Sequence, residues 1–259
     1  MLARHRIVLV LSLALSSSTR ALSGGAASAA RMTSTRTKDD WGVGITVTPA
    51  SGQYKNVVLF LHGLGDTADG WSSMMHLFGS DDTKYVLPTA PTRPITLNGG
   101  MPMPGWSDVY GLHSSDKEDL NGFEQSKTRI LSLIKEEIDT HKIPISRIAI
   151  GGFSQGGALA LYTSLTSNLN LAGVFALSTW LPLREHVEVA LTEEAKKLKI
   201  LQVHGDADQV VAFQWGKEST EIMSKILATP PHFISISGMG HHADEKEMTD
   251  VRKFLREIF

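Results

Sequence analysis

The sequence predicts a single α/β domain: a mostly parallel central sheet flanked by helices. Three observations predict it. The chain has 259 residues, a length that one α/β unit fills. From residue 39 onward, short apolar runs alternate with amphipathic stretches, as a helix-covered parallel sheet requires. At Gly152-Phe153-Ser154-Gln155-Gly156, an apolar run turns into a small-residue helical stretch through a G-x-S-x-G sequence.

The elements follow in order. Residues 43–47 read as an edge strand, and 57–61, Val-Val-Leu-Phe-Leu, as a strand buried on both faces. A short helix is expected over 70–78 and a strand over 84–87, stopped by Pro88. Residues 91–115 hold four prolines, several glycines and the methionines Met101 and Met103, which predicts a long functional loop. Phe123, Ile130, Ile134 and Ile138 share one face of a helix over 123–139. A strand over 147–152, a helix over 155–166 and strands over 172–177 and 199–203 follow. A helix near 214–227, a strand over 233–236 and a helix near 244–257 complete the domain.

Residues 1–38 differ from the rest. They contain no acidic residue; the first is Asp39. Arg4 and Arg6 precede an apolar run over 7–15, a positive segment and short hydrophobic core like those of secretory signals. That run is too short to span a bilayer, which takes about 20 apolar residues. The Ser-, Ala-, Thr- and Arg-rich stretch after it resembles an organellar transit segment. The expectation is a disordered targeting leader over 1–38, serving the secretory route or an organelle, and a domain over 39–259. Translation from Met32 would give a cytoplasmic form.

Composition excludes several classes. There is no cysteine, so disulfides, thiolate catalysis and cysteine metal sites are ruled out. The net charge is −2 with both signs interspersed, which gives no footprint for nucleic acid.

The chemistry lies in three loops. Between a strand and a helix, G-x-S-x-G is a nucleophile elbow: the serine sits on a strained turn, and its neighbours must be small. Ser154 is therefore the candidate nucleophile. A serine hydroxyl needs a base, and in this architecture the chain order is Ser, Asp, His. The strand over 199–203 runs into His204-Gly205-Asp206-Ala207-Asp208. Asp208 is the better candidate acid, with Asp206 expected to cap the turn. The last strand leads into Gly238-Met239-Gly240-His241-His242, which offers the base at 241 or 242. No metal is expected there, because adjacent loop histidines without carboxylates at metal spacing rarely converge on one ion. His62 and His204, each before a glycine at a strand end, read as structural. An oxyanion hole needs two backbone donors. Gln155, after the serine, supplies one, and Leu64 in His62-Gly63-Leu64-Gly65 the other. That loop lacks both the Walker lysine and the third glycine of a dinucleotide site.

These motifs occur together with Ala90-Pro91-Thr92-Arg93-Pro94-Ile95-Thr96-Leu97-Asn98 and Gly151-Gly152-Phe153-Ser154-Gln155-Gly156-Gly157-Ala158. As a set, from about residue 40 to the C-terminus, they resemble the acyl-protein thioesterases of the phospholipase/carboxylesterase family, which have the α/β-hydrolase fold. The resemblance implies a cofactor-free serine hydrolase acting on S-palmitoyl groups of proteins, lysophospholipids and small esters. It places nucleophile, acid and base at Ser154, Asp208 and His241, and the oxyanion donors at Leu64 and Gln155. It also implies acylated proteins or lipids as partners, at most transient membrane-surface contact, and a monomer or weak dimer. Met101, Met103, Trp106, Leu181 and Val210, apolar and near these loops, are the candidate acyl-binding residues. Two other functions fit parts of the pattern: a short-chain carboxylesterase and, outside catalysis, an acyl-binding pseudoenzyme. The complete set of catalytic residue types argues against the latter.

Overall fold

The computed structural model describes residues 31–78 and 80–259. The first strands are β1 (Met32–Asp39), β2 (Gly42–Pro49), β3 (Asn56–Leu61) and β4 (Thr83–Pro88), followed by a separate hairpin of β5 (Thr92–Ile95) and β6 (Met101–Pro104). Then come β7 (Ile148–Phe153), β8 (Gly173–Leu177), β9 (Ile200–Gly205) and β10 (His232–Ile236). All but the hairpin form one eight-stranded sheet with the order β1-β2-β4-β3-β7-β8-β9-β10. From β4 to β10 all neighbours are parallel, while β1 and β2 join antiparallel. The helices are α1 (Ala68–Phe78), α2 (Leu120–Asp139), α3 (Gln155–Leu165), α4 (Arg184–Ala190), α5 (Phe213–Ile226) and α6 (Glu245–Ile258).

Strand alternation explains the two core layers. Val57, Leu59 and Leu61 of β3 and Ile148 and Ile150 of β7 pack with Phe123, Ile130 and Ile134 of α2 and with α3. Val58 and Phe60, on the opposite face, pack with Trp71 and Met75 of α1 and with Met248, Val251 and Phe254 of α6. A strand covered on both faces has to be apolar throughout, as all six buried residues of β3 show. Carboxylates cap two of the helices. Asp119 accepts from the Gly122 N–H at 3.0 Å at the start of α2, and Asp244 from the Glu247 N–H at 2.8 Å at the start of α6.

Three expectations change. Residues 32–38, assigned to the disordered leader, form β1, paired along its length with β2 from Met32↔Pro49 to Asp39↔Gly42. The domain thus begins by Met32, and β2 is not an edge. Thr33, Thr35 and Thr37 supply β-branched residues to a strand that stays mostly exposed, which suits an edge. Its side chains are tied down by Arg36–Asp69 at 2.7 Å, Ser34–His76 at 2.6 Å and Asp39 on Arg129 at 3.0 Å. The signal-like run over 7–15 lies outside the described residues. Second, the loop over 91–115 contains the β5–β6 hairpin. Its turn passes through Gly99 and Gly100, at φ 69° and 81°, a left-handed conformation that favours glycine. Third, α4 was not foreseen: seven residues long, it buries only Val187 and has no side-chain cap, so it gave no helical signal.

Candidate active site

The loops that end β7, β9 and β10 meet above the C-terminal edge of the sheet. After β7 the chain turns sharply into α3, with Ser154 at φ 53° and ψ −123°. A non-glycine residue at positive φ is strained by roughly 1–3 kcal/mol and persists only where its surroundings hold it. Here the Ser154 N–H donates to the Leu177 carbonyl at 2.8 Å, and the Ser154 carbonyl accepts from the Thr179 hydroxyl at 2.6 Å and the Ala158 N–H at 3.0 Å. The turn is tight enough that a Cβ on Gly152 would lie 2.4 Å from Gly156 C, and one on Gly156 would lie 2.1 Å from Leu61 O. Both positions therefore require glycine.

After β9, Asp208 sits with its side chain fully buried. Its Oδ1 accepts from the Val210 and Val211 N–H groups at 2.9 and 3.0 Å. Its Oδ2 lies 2.7 Å from His241 Nδ1 and 3.4 Å from His204 Nε2. Burial opposes ionisation, but the hydrogen bonds from His204, His241 and Val210, with the charge available at His241, outweigh it and hold the carboxyl far below the usual carboxylate range. Asp206, expected to cap its own turn, instead ties the loop after β10, accepting from the Gly238 N–H at 2.6 Å.

His241 follows the loop after β10. Its Nε2 is 3.0 Å from Ser154 Oγ. With Nδ1 donating to Asp208, Nε2 carries the lone pair and accepts from the serine hydroxyl. His241 packs on Phe153 at 4.8 Å between ring centroids, and its side chain is 3% exposed. His242 sits beside its own Gly240: its N–H donates to Gly240 O at 3.0 Å, and a Cβ on Gly240 would lie 3.5 Å from its Nδ1. Of the two adjacent histidines, the geometry thus favours 241.

The loop after β3 runs beside the serine, where a Cβ on Gly63 would lie 3.4 Å from Ser154 Cβ. Its Gly65 N–H donates to Pro104 O at 2.8 Å and its Asp66 N–H to Gly63 O at 3.2 Å, which anchors the turn around Leu64. The Gln155 N–H belongs to the first turn of α3, where amides have no intrahelical partner. The Gln155 side chain serves elsewhere. It accepts from the Trp106 N–H at 2.9 Å and donates to Ser107 O at 2.9 Å, fixing the loop after β6.

The five candidate acyl-binding residues divide. Met103 lies beside the Leu64 loop, its Sδ 3.6 Å from a Cβ on Gly65. Met101 is exposed on the hairpin, and Val210 is half-buried next to Asp208. Trp106 and Leu181 lie deeper. Trp106 is fully buried, with its Nε1 donating to His62 O at 2.8 Å, and Leu181 is buried with its N–H on Ser219 Oγ. Both side chains pack in the core cluster that also holds Ala158 and Leu159 of α3 and Trp215 of α5. His62 is structural as expected. Its Nδ1–H donates to Gly63 O at 2.7 Å and its Nε2 accepts from the Ala90 N–H at 2.9 Å. Burial, with the charge of Arg129, pushes it down to about 4 against the Gly63 bond, so it stays neutral. A cavity of about 290 Å³ opens beside Asn56, Tyr85 and Phe259, at the other end of the sheet, and takes no part in this site. Among the described residues, no cluster of His, Asp and Glu could hold a metal ion, and no helix is long and apolar enough to cross a membrane.

Residues 44–259 match the model of the Phospholipase/Carboxylesterase family. The chain belongs to that family. Its fold is accordingly the α/β-hydrolase fold. The acyl-protein thioesterase 1 of Mycosarcoma maydis is 41% identical over 230 residues, covering 83% of this chain and 96% of that protein. The acyl-protein thioesterase 1 homolog 1 of Dictyostelium discoideum is 41% identical over 202 residues, covering 76% and 88%. The crystal structure of Zea mays acyl-protein thioesterase 2 superimposes with a TM-score of 0.75 at 30% identity, covering 82% of this chain and 97% of that one. The phospholipase/carboxylesterase match starts within β2, so β1 lies outside it. Two residues at the site carried no obvious signal in the sequence: Thr179, which binds the Ser154 carbonyl, and His204, the second imidazole on Asp208. A histidine at a strand end directly before the acid's loop was the available clue to the second.

Proposed function

We propose that this protein is a serine thioesterase and esterase. It removes long-chain acyl groups, S-palmitoyl in particular, from protein cysteines, and it also cleaves carboxylic and lysophospholipid esters. The observation that carries this reading is the continuous line from Asp208 Oδ2 through His241 to Ser154 Oγ, at 2.7 and 3.0 Å. Ser154 Oγ attacks the acyl carbonyl while His241 Nε2 takes its proton, and Asp208 stabilises the imidazolium. The oxyanion is met by the N–H groups of Leu64 and Gln155. The intermediate collapses, the cysteine sulfur leaves with the proton from His241, and an acyl-serine remains. Water, deprotonated by His241, then releases the fatty acid and restores Ser154. The names of the relatives support acylated proteins as the substrate class. Contact with a membrane surface is at most transient in this reading, and the enzyme is a monomer or weak dimer. The leader supports routing through the secretory path or to an organelle. A form starting at Met32 would still contain every strand of the sheet.

The test is kcat/KM across acyl chain length, for thioesters and oxygen esters. Each methylene that finds an apolar wall at Met101, Met103 and Val210 adds about 0.8 kcal/mol, roughly fourfold in kcat/KM, until the groove is full. If acetyl esters outperform octanoyl and longer ones, the enzyme is a short-chain carboxylesterase. If no ester turns over, the pseudoenzyme reading holds.

A further inference from the structure

Asp208 is touched by two imidazoles on one oxygen, and the steps above use only one of them. His204 lies in β9, at its penultimate position, and its side chain is fully buried. Its Nε2 faces two acceptors, the Val211 carbonyl at 2.9 Å and Asp208 Oδ2 at 3.4 Å. Two oxygens around one ring nitrogen fix the tautomer, so the proton is on Nε2. Nδ1 is buried without a hydrogen-bond partner. It abuts α5, where a Cβ on Gly216 would lie 2.3 Å away, and Phe213 meets the ring edge-on at 5.9 Å. The ring therefore cannot turn, and its polar contribution is single: it presents Nε2–H to the acid and to the loop that carries it.

With the Val210 and Val211 N–H groups on Oδ1 and the His241 Nδ1–H on Oδ2, three hydrogen bonds hold the carboxylate, and His204 Nε2 stands 3.4 Å from Oδ2 as a fourth polar neighbour. A donor that shares Oδ2 with His241 also withdraws part of the charge that would hold the imidazolium.

We propose that His204 is a positioning residue of this site: its Nε2–H aims Asp208 Oδ2 at His241 and limits how strongly the acid holds the protonated base. The proposal rests on the reading of Ser154, His241 and Asp208 as a triad. The other titratable groups around the pair are Asp206, held by the Gly238 N–H, His242, and Asp244 and the buried Glu247 at the head of α6. α5 meets the ring with Phe213 and Gly216, and Ser178 and Thr179 follow β8 nearby, none of them charged. The variants below leave all of these in place, so any change in pH dependence belongs to residue 204.

The test compares His204→Gln, His204→Asn and His204→Leu in kcat, KM and the pH profile of p-nitrophenyl octanoate hydrolysis. Gln carries an amide N–H to about the place of the imidazole Nε2, whereas Asn ends near the Nδ1 position and Leu has no donor. His204→Gln should stay within about threefold of wild type, with the acid limb of the profile unmoved. His204→Asn and His204→Leu should lose roughly tenfold or more in kcat, with KM within about twofold, because the acid is no longer aimed. Their acid limb should move up by about half a pH unit, because an acid with one donor fewer holds the imidazolium more tightly. Folded Asn or Leu variants that match His204→Gln in kcat and leave the acid limb in place would overturn the proposal. If His204→Leu does not fold, the Gln/Asn pair, both small and polar, carries the comparison. Wild-type enzyme that fails to label with a fluorophosphonate would instead overturn the triad reading itself.

Discussion

Asp208→Asn separates an acid that orients a base from one that merely caps a loop. The Val210 and Val211 N–H groups hold Oδ1, so the amide oxygen must take that side. The NH₂ group is then forced into the place of Oδ2, facing His241 Nδ1 at 2.7 Å and His204 Nε2 at 3.4 Å. Donor now meets donor. His241 can relieve the clash only by moving its proton to Nε2, which lies 3.0 Å from Ser154 Oγ, and there it can no longer accept the serine proton. The overall shape of the site is kept while the base is lost. The expected fall in kcat is about 10⁴-fold, on the order of 5 kcal/mol of transition-state stabilisation, with KM little changed. The assay is steady-state hydrolysis of p-nitrophenyl octanoate, normalised to folded protein by circular dichroism. A folded Asp208→Asn enzyme within tenfold of wild-type kcat would rule out this role for the acid.

Four other outcomes are expected. His241→Ala should cost roughly 10⁴-fold or more in kcat and His242→Ala less than about tenfold, and the reverse order in the same assay would move the base to His242. A chain starting at Met32 should melt like the full-length protein. Asp39→Ala should lower stability by roughly 3 kcal/mol, read by urea unfolding, because it strips Asp39 from an Arg129 side chain that is 1% exposed; an unchanged midpoint would contradict this. Glu247 is fully buried with neither carboxyl oxygen bonded, and burial together with Asp244, Asp208 and Asp250 pushes its carboxyl well above the usual range. The folded state thus holds a proton that the unfolded state releases above its ordinary carboxylate pKa, so stability falls as pH rises through that window. Glu247→Gln should be more stable than wild type at pH 8 and converge with it near pH 4; parallel stability curves would contradict this.

The parts legible in the sequence are those where one residue type answers one physical demand. Strands covered on both faces must be apolar, so β3, β7, β8 and β9 announce themselves as runs. A strained serine turn must be flanked by small residues, and Gly152 and Gly156 would collide with backbone if they carried a Cβ. The chain order Ser, Asp, His then leads to Asp208 and to two histidines; the family resemblance favours 241, and the folded loop gives the geometric reason, with His241 between Asp208 and Ser154. What stayed hidden depends on direction or context. β1 is polar because it is an exposed edge, and its Ser/Thr composition imitates a leader. Trp106 and Leu181 neighbour the catalytic loops in sequence, yet their side chains turn inward, which spacing does not encode outside regular elements. His204 looked like a core histidine and is one; its contact with Asp208 depends on how the loop after β9 folds back.

Ser154 as the nucleophile is tested most directly by intact mass after reaction with a fluorophosphonate. One phosphonyl adduct is expected on wild-type protein, mapped to the Ser154 peptide, and no adduct on folded Ser154→Ala, with ester turnover lost in parallel. Stoichiometric labelling of folded Ser154→Ala, or wild-type labelling at another serine, would contradict the assignment.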